Sequence, residues 1–290
     1  MACGILIVDK PAGWTSQDVV AKLRGVLHEK RVGHGGTLDP MATGVLPVFV
    51  GRATRAVEFF ESAEKEYLAL FRPGVTTNTQ DVQGEILSRI PHTLKKEDIA
   101  AVLPQFLGEI DQIPPMFSSI KIGGKKLYEL ARQGKEIERK ARRITIFELE
   151  LGDATPEGDF PLRVRCSKGT YVRTLCHDIG QALGCGGCMA GLRRTGAGVY
   201  TLSGAHTLEE IMAAQDPQSL LLPTDSLFSD FPAVTLTAKQ ERFCRNGNPI
   251  PNWTRGGDAF RAYSESGEFL MLARHKNGQL VTEKSFFEVK

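Results

Sequence analysis

The chain has 290 residues, of which 41% are hydrophobic, and its 36 basic and 34 acidic side chains leave a formal net charge of +2 at pH 7. A chain of this size and composition can bury a full core, which favours one large domain plus a small one. The nearly neutral total excludes an argument for nucleic-acid binding from net charge alone, so the distribution of charge has to be considered.

The N-terminal segment predicts a strand, a turn and a helix. Ile5–Val8 is an apolar run typical of a buried strand, and Pro-Ala-Gly-Trp at residues 11–14 is a turn sequence. Thr15 or Ser16 is the predicted N-cap of the helix that follows. The apolar face of this helix consists of Val19, Val20, Leu23, Val26 and Leu27.

A glycine-rich loop, Gly-His-Gly-Gly-Thr-Leu-Asp-Pro at residues 33–40, leads into the apolar segment Val45–Val50. Its glycines can adopt backbone conformations closed to other residues, and Pro40 pushes Asp39 toward an extended conformation. The loop lacks the Gly-Lys-Ser/Thr ending of a P-loop, and the chain has no Gly-x-Ser-x-Gly nucleophile motif. Asp39 therefore either presents a catalytic carboxylate or only closes a turn.

The next part of the chain alternates strands with polar segments. Glu66–Phe71 predicts a strand, and the polar residues of Thr77–Gly84 predict the loop that follows it. A helix is predicted to begin at Thr93, and strands are predicted over Ile144–Leu151 and Leu162–Cys166.

Residues 121–143, which we call the basic segment, carry nine basic and three acidic side chains. The basic residues are Lys121, Lys125, Lys126, Arg132, Lys135, Arg139, Lys140, Arg142 and Arg143. Leu127, Leu130 and Ala131 predict a short helix ended by Gly134. Such a charge run is either a solvated face or a surface that contacts phosphates, and composition alone does not separate the two.

The last third of the chain predicts two helices and a small β-rich unit. Lys168–Leu175 turns into a helix with Arg173 in its first turn, and a second helix covers Leu208–Ala214. Asp216–Ala233 contains three prolines, and we predict the domain boundary at its end. The strand-like segments beyond it are Ala259–Tyr263, Phe269–Arg274 and Leu280–Lys284.

The cysteines favour a reducing compartment. Six cysteines without dense spacing are typical of free thiols. Cys185-Gly-Gly-Cys188 has metal-ligand spacing but no second such pair, so we interpret both as buried residues in the turn after a helix closed by Gly184. The N-terminus lacks a basic region, and no segment approaches about 20 apolar residues, so we expect a cytoplasmic protein without a membrane span.

Eight segments, in order, resemble the TruB family of tRNA pseudouridine synthases, and they span nearly the whole region before the predicted boundary. The segments are Asp9-Lys10-Pro11-x-Gly13-x-Thr15-Ser16, residues 33–47, Glu66-Tyr67, Thr77–Gly84, Pro114-Pro115-x-x-Ser118, Leu127–Gly134, Lys168–Leu175 and Leu192–Thr195. Two positions depart from the family pattern, because Gly35 replaces a usual Thr or Ser and Ser119 a usual Ala. We expect Gly35 to make the loop looser.

The resemblance implies an α+β fold, with a mixed, largely antiparallel sheet and flanking helices in a catalytic domain of residues 1–233. Residues 234–290 would form a small β-rich RNA-binding domain of PUA type, or only a stabilising appendage. The implied reaction isomerises uridine 55 in the T loop of tRNA to pseudouridine by base flipping, without cofactor or metal. The expected partner is the tRNA T arm, bound by a monomer with no obligatory protein partner.

The resemblance also assigns residues. Asp39 is the implied catalytic aspartate, Arg173 the arginine that pairs with it, and Tyr67 the aromatic residue that stacks on the target base. A neighbouring guanidinium favours an ionised carboxylate. The implied or hypothesised substrate-binding residues are His34, Leu192, Lys10, Asp81, Lys121 and Arg132. The ordinary alternatives are an exposed arginine for Arg173 and strand packing for Tyr67.

Three other functions fit parts of the same sequence. An RNA-guided synthase acting on ribosomal RNA is the first, although the absence of long basic tails favours a stand-alone enzyme. The second is a chaperone that folds tRNA, and the presence of Asp39, Tyr67 and Arg173 favours catalysis over it or beside it. The third, a thiol-bound metal protein, would lose its metal on the substitution Cys188→Ser.

Overall fold

A computed structural model describes residues 2–288 of the chain. The strands are β1 (Gly4–Lys10), β2 (Val32–His34), β3 (Thr43–Val50), β4 (Lys65–Pro73), β5 (Val75–Thr77), β6 (Ile86–Arg89), β7 (Gly108–Gln112), β8 (Lys121–Ile122), β9 (Lys125–Lys126), β10 (Arg142–Leu151), β11 (Phe160–Cys166), β12 (Gly187–Ala197), β13 (Tyr200–Thr201), β14 (His206–Thr207), β15 (Ala233–Thr235), β16 (Ala259–Tyr263), β17 (Phe269–Lys276) and β18 (Gln279–Ser285). The α-helices are α1 (Ser16–Val26), α2 (Val57–Phe60), α3 (Lys96–Val102), α4 (Leu127–Ala131), α5 (Val172–Ala182), α6 (Leu208–Ala213) and α7 (Ala238–Arg245).

Ten strands form one mixed sheet in the order β14-β1-β3-β12-β4-β11-β10-β7, with β2 also paired to β3 and β13 to β12. Within this sheet, as far as residues 2–288 show it, only the β1–β14 and β3–β12 pairs are parallel. The apolar faces of α1 and α5 share one buried cluster with this sheet. The prediction of a mixed, largely antiparallel sheet with flanking helices is confirmed.

The strand β12 determines which parts of the chain meet at the centre of the sheet. Arg194 on β12 lies opposite Gly44 of β3 and also opposite Tyr67 of β4. A Cβ atom at Gly44 would lie 2.2 Å from the Arg194 carbonyl oxygen, so only glycine fits this approach of two strands. The loop that precedes β3 is thereby held beside the strand that carries Tyr67.

The sequence patterns did not predict β12, although it is the longest strand. Gly187, Gly191 and Gly196 interrupt its side-chain alternation, and its pairing with β4 shifts register twice. The prediction that Cys188 lies in a turn is therefore wrong, because this residue is buried within β12. Cys185 does lie in the turn before the strand.

The other predicted elements are found with small differences at their ends. Thr15 is the N-cap of α1, and its hydroxyl accepts the Asp18 N–H at 3.1 Å. The helix predicted from Thr93 begins later, at Lys96, because the Asp98 carboxylate accepts the Lys95 N–H at 2.8 Å and caps the helix there.

A second sheet, β15-β16-β17-β18, follows the proline-containing segment and encloses its own cluster around Trp253 and Phe260. Phe228 joins the two parts of the molecule, with ring centroids 6.2 Å from Phe269 and 5.8 Å from Phe286. The C-terminal unit is β-rich as predicted, and the boundary after residue 233 stays a prediction.

Candidate functional site

The glycine-rich loop at residues 33–40 is anchored at its C-terminal end. The Leu38 N–H donates to the Ser16 hydroxyl at 2.9 Å, which ties the loop to the start of α1. The Gly13 N–H donates to the Pro40 carbonyl at 2.8 Å, and the Ala42 N–H donates to the Asp39 carbonyl at 3.0 Å. These bonds orient Asp39 through the backbone, so its side chain is free to face the cleft.

Lys10 holds the same loop from inside the protein. Its side chain is completely buried, and its ammonium donates to the carbonyls of Trp14 at 2.6 Å, Pro11 at 2.9 Å and Pro40 at 3.3 Å. Burial lowers the pKa of Lys10 to about 8, against the opposing effect of the Asp39 carboxylate. The prediction that Lys10 faces RNA is wrong, because a fully enclosed ammonium cannot reach a phosphate.

Arg173 joins two carboxylates at the floor of the cleft. Its guanidinium lies 3.4 Å from the Asp39 carboxylate and 3.7 Å from that of Asp81, and it donates to the Phe117 carbonyl at 2.6 Å. The Arg173 side chain is 7% exposed, while that of Asp39 is 32% exposed. The predicted pairing of Asp39 with Arg173 is present, and the interpretation of Arg173 as an exposed helix residue is excluded.

Asp81 is enclosed behind this pair. Its carboxylate accepts the Thr79 hydroxyl at 2.8 Å and the Gln83 N–H at 3.0 Å, and only 5% of the residue is exposed. These bonds and the contact with Arg173 fit a residue that positions the guanidinium better than one that binds substrate directly.

The balance of forces raises the pKa of the Asp39 carboxyl above its usual range. Burial is the largest cause, and the neighbouring Asp81 carboxylate adds to it, whereas Arg173 and Lys10 oppose it. The guanidinium favours the ionised form, as expected, but it does not outweigh burial. Burial thus disfavours the ionised form of Asp39, and pKa values shifted in this way are common among catalytic groups.

Tyr67, Leu192 and Arg194 form one wall beside Asp39. Tyr67 is 8% exposed, and burial raises the pKa of its phenol. Arg194 was not predicted as a site residue, although it belongs to the family-like segment Leu192–Thr195. It is in fact 1% exposed, and its guanidinium donates to the carbonyls of Val45 at 2.6 Å and Gly36 at 3.2 Å.

His34 lies at the mouth of the cleft. Its Nε2 accepts the Gln17 side-chain amide at 3.2 Å. Burial and the nearby Arg194 guanidinium lower the pKa of its imidazole, so the neutral ring is favoured at physiological pH. A neutral ring can enter a space next to bases without carrying an unpaired charge there.

Gly35 departs from the family pattern for a steric reason. A Cβ atom at this position would lie 2.4 Å from Cδ1 of Phe60 and 3.0 Å from Cε2 of Phe49. The Phe60 ring therefore occupies the volume that a larger residue would need. The loop is packed against two aromatic rings at this point, and the expectation that Gly35 makes it looser stays a prediction.

The basic segment contributes only part of its charge to the cleft. Lys126 and Arg132 line it, and both cations lie over the Tyr128 ring, at 5.3 and 5.4 Å from its centroid. Lys121 is exposed on the β8–β9 hairpin and does not line the cleft. Arg143 pairs with Asp111 at 3.1 Å, outside the cleft.

The cleft has a volume of about 930 Å³. The predicted site residues that line it are Asp39, Tyr67, Arg173, His34, Leu192, Asp81 and Arg132. The structure thus brings seven of the nine predicted residues together and leaves out Lys10 and Lys121. Lys65, which was not predicted, also lines it, and its ammonium donates to the Ala63 carbonyl at 2.6 Å.

Residues 2–288 contain neither a candidate metal centre nor a helix that could span a membrane. No three His, Cys, Asp or Glu side chains in this range lie together as a metal-ligating group. Burial raises the pKa of the Cys188 thiol to about 11, which disfavours the thiolate that metals bind. No described helix is long and apolar enough to cross a membrane.

Two family models match the chain. Residues 24–172 match the model described as TruB family pseudouridylate synthase (N terminal domain), and residues 173–229 match the tRNA pseudouridylate synthase B C-terminal domain. Together these matches cover every element that lines the cleft except the start of α1.

Curated relatives match over most of their own length. The tRNA pseudouridine synthase B of Ralstonia pickettii (strain 12J) is 46% identical over 253 residues, which cover 86% of this chain and 80% of the relative. That of Clostridium kluyveri is 40% identical over 289 residues, which cover 98% of this chain and 99% of the relative.

Solved structures share the fold. A Cbf5-Nop10-Gar1 complex contains a chain with a TM-score of 0.73 and 26% identity, and the match covers 99% of this chain and 86% of that one. An H/ACA RNP bound to a substrate RNA containing 2′-deoxyuridine gives a TM-score of 0.71 and 25% identity, with 99% and 86% covered.

Proposed function

This chain belongs to the TruB family of pseudouridylate synthases, and we propose that it converts uridine 55 in the T loop of tRNA to pseudouridine. The curated relatives named tRNA pseudouridine synthase B support tRNA as the substrate class. The observation that carries the proposal is the Asp39 carboxylate, ion-paired with Arg173 at the floor of a cleft large enough for a nucleotide.

The reaction needs a positioned carboxylate more than it needs a redox group. The bond from ribose C1′ to uracil N1 breaks, the base turns, and a new bond forms from C1′ to a ring carbon. That carbon then releases its proton, and N1 takes up a proton. Atoms and electrons balance without an external reagent. Asp39 serves as the nucleophile toward a ribose or base carbon, or as the base that removes a sugar proton, and either role requires its ionised form.

The walls of the cleft suit an extruded base. A uridine within a folded RNA loop has to leave its stack before a pocket can enclose it. Tyr67 offers an aromatic face and Leu192 an apolar one, and the neutral His34 at the mouth is placed to enter the space that the base leaves. Arg132 and Lys126, at the rim, supply positive charge for nearby phosphates.

The test is pseudouridine formation on an unmodified tRNA transcript, with wild type compared with Asp39→Asn. We expect wild type to form pseudouridine at position 55 only, and Asp39→Asn to bind the transcript but lose at least about 10³-fold in rate, or about 4 kcal/mol of transition-state stabilisation. A transcript with cytidine at position 55 is the substrate control. Equal rates for wild type and Asp39→Asn would contradict the assigned role.

The likeness to the H/ACA protein chains favours one second candidate, a synthase that needs guide RNA and partner proteins. The two proposals differ in the isolated protein, because a stand-alone enzyme acts on the transcript without additions. We propose the stand-alone form, as a monomer in the cytoplasm, and the six free cysteines support a reducing compartment. An inactive but well-folded wild type would favour the guided enzyme or a tRNA chaperone.

A further inference from the structure

A second concave surface lies at the far end of α1. It is an open depression of about 530 Å³ lined by Arg24, His28, Glu29 and Lys30. Arg24, His28 and Lys30 are exposed, whereas Glu29 is 8% exposed, and its carboxylate accepts the Arg31 N–H at 2.9 Å. The charged side chains that stand exposed at the depression are therefore the cations Arg24 and Lys30.

The cations of this depression are not neutralised by acidic side chains. Neither Arg24 nor Lys30 has a carboxylate within 4 Å among residues 2–288, and Arg24 uses one N–H to donate to the Val32 carbonyl at 3.2 Å. Cations at a helix C-terminus also complement the helix dipole, but that effect corresponds to about half a negative charge and is confined to the last turn. The helix dipole therefore accounts for one of these cations, Arg24 in the last turn, and the charge of the other remains available for an anion.

The backbone at His28 adds an independent observation. His28 follows the C-cap of α1 and has φ +51, the left-handed conformation that glycine adopts most readily. The Glu29 N–H donates to the Arg24 carbonyl at 3.3 Å, which completes the usual bonding of such a helix end. A histidine held in a conformation that favours glycine suggests that its side chain has a use.

The depression and the catalytic cleft are connected by one face of α1. Gln17, Ala21 and Arg24 are spaced by four and three residues, so they form a single stripe along α1, and His28 lies just beyond the C-cap of the helix. All four are exposed, and Gln17 lines the cleft, where it contacts His34. The eleven residues of α1 span about 16 Å, so the depression and the cleft lie at opposite ends of this helix.

We propose that this depression binds phosphates of the RNA backbone outside the catalytic cleft. Lys30 supplies a point charge, Arg24 its remaining guanidinium N–H groups, and His28 an imidazole N–H, while the small Ala21 leaves room for the strand to follow α1. This inference rests on the proposed function, since it takes a folded RNA as the substrate. The surface would add affinity and orient the tRNA without contacting the reacting base.

The test compares Lys30→Gln and His28→Gly with Lys95→Gln, which removes one exposed charge at a place that lines neither concave surface. The dissociation constant for the unmodified tRNA transcript is measured at several salt concentrations. We expect Lys30→Gln and His28→Gly each to raise it about fivefold, and Lys30→Gln to lower the slope of log affinity against log salt by about one. Lys95→Gln should match wild type.

His28→Gly separates binding from folding, because glycine suits the left-handed backbone. We expect its melting temperature to equal or exceed that of wild type while its affinity falls. The inference is overturned if Lys30→Gln and Lys95→Gln share one affinity and salt slope, or if His28→Gly lowers the melting temperature without changing the affinity. Pseudouridine formation by wild type is measured in parallel, so failure of the proposed reaction is distinguished from failure of this contact.

Discussion

Beneath and around the cleft, Lys10, Arg173 and Arg194 are each less than a tenth exposed, and each donates to specific carbonyls or carboxylates. In the basic segment, by contrast, Lys121 and Lys125 stand exposed on a short hairpin. Both regions are rich in the same two residue types. They differ in the number of groups that would be left without a partner if one cation were removed.

This difference predicts what each region can tolerate. A buried cation offsets the cost of its desolvation through several hydrogen bonds. Its removal leaves the groups that accepted those bonds buried without a donor, which lowers stability. An exposed cation contributes at most about 1 kcal/mol to stability. Substitutions at the cleft floor should therefore alter folding and catalysis together, whereas substitutions in the basic segment should alter only RNA affinity.

The largest effect is expected for Arg173→Met. It leaves the buried Asp81 carboxylate without its cation, which should lower the free energy of unfolding by about 3–5 kcal/mol and the rate at least about 100-fold. Urea denaturation and single-turnover pseudouridine formation measure the two. Arg165→Met, which removes a surface cation paired with Glu148 and Glu64, should cost no more than about 1 kcal/mol. Similar losses in both variants would contradict the comparison.

Lys10→Met tests whether a buried lysine supports the catalytic loop. Three carbonyls lose their donor, so we expect the free energy of unfolding to fall by about 3 kcal/mol, with a lower rate because Pro40 is no longer held. Lys121→Met should change stability by less than about 0.5 kcal/mol. Urea denaturation of both proteins checks this, and a fully stable Lys10→Met protein would show that the carbonyls find other donors.

Gly35→Ala sharpens the comparison within the loop itself. The added methyl group meets the Phe60 ring, and we expect a loss of about 2 kcal/mol from overpacking. Gly33→Ala is the matched control, since nothing lies within 4 Å of a Cβ atom there. Phe60→Leu should recover part of the loss in a double-mutant cycle. Additive effects of Gly35→Ala and Phe60→Leu would rule out the contact as the cause.

Asp39→Asn should stabilise the protein at neutral pH. The folded-state pKa of Asp39 lies above the unfolded value of 3.8, so at a pH between these two pKa values the folded protein binds more protons than the unfolded chain. The ionised carboxylate therefore lowers stability once the pH is above the folded pKa, and this cost disappears in acid. Melting temperatures at pH 7 and near pH 4 check the sign. Asp81→Asn should instead destabilise, because Arg173 loses an enclosed partner.

The smallest effect concerns the two predicted RNA-facing residues of the basic segment. Arg132→Gln should raise the dissociation constant for tRNA about fivefold, because Arg132 lines the cleft, with no change in melting temperature. Lys121→Gln should change it less than about twofold, because Lys121 lies outside the cleft. Titration of a fluorescent transcript at low salt measures both, and equal effects would extend the RNA surface to the hairpin.

The sequence by itself determined the local features of this protein. Thr15 caps α1 and Arg173 lies in the first turn of α5, because capping and helical periodicity depend on residues a few positions apart. The motifs also indicated the family, because their order along the chain can be recognised without the three-dimensional structure. Asp39, Tyr67 and Arg173 were identified as candidates on that basis.

Only the tertiary structure decided how these residues work together. Asp39 and Arg173 are 134 positions apart, and Arg194 is 149 positions from the Val45 carbonyl that it contacts. Such contacts depend on the strand β12, whose glycines and register shifts conceal it from pattern analysis. Burial likewise separates Lys10, which supports the loop, from Lys121, which faces solvent. The same side chain stands at both positions, and its role depends on whether the fold encloses it or leaves it exposed to solvent.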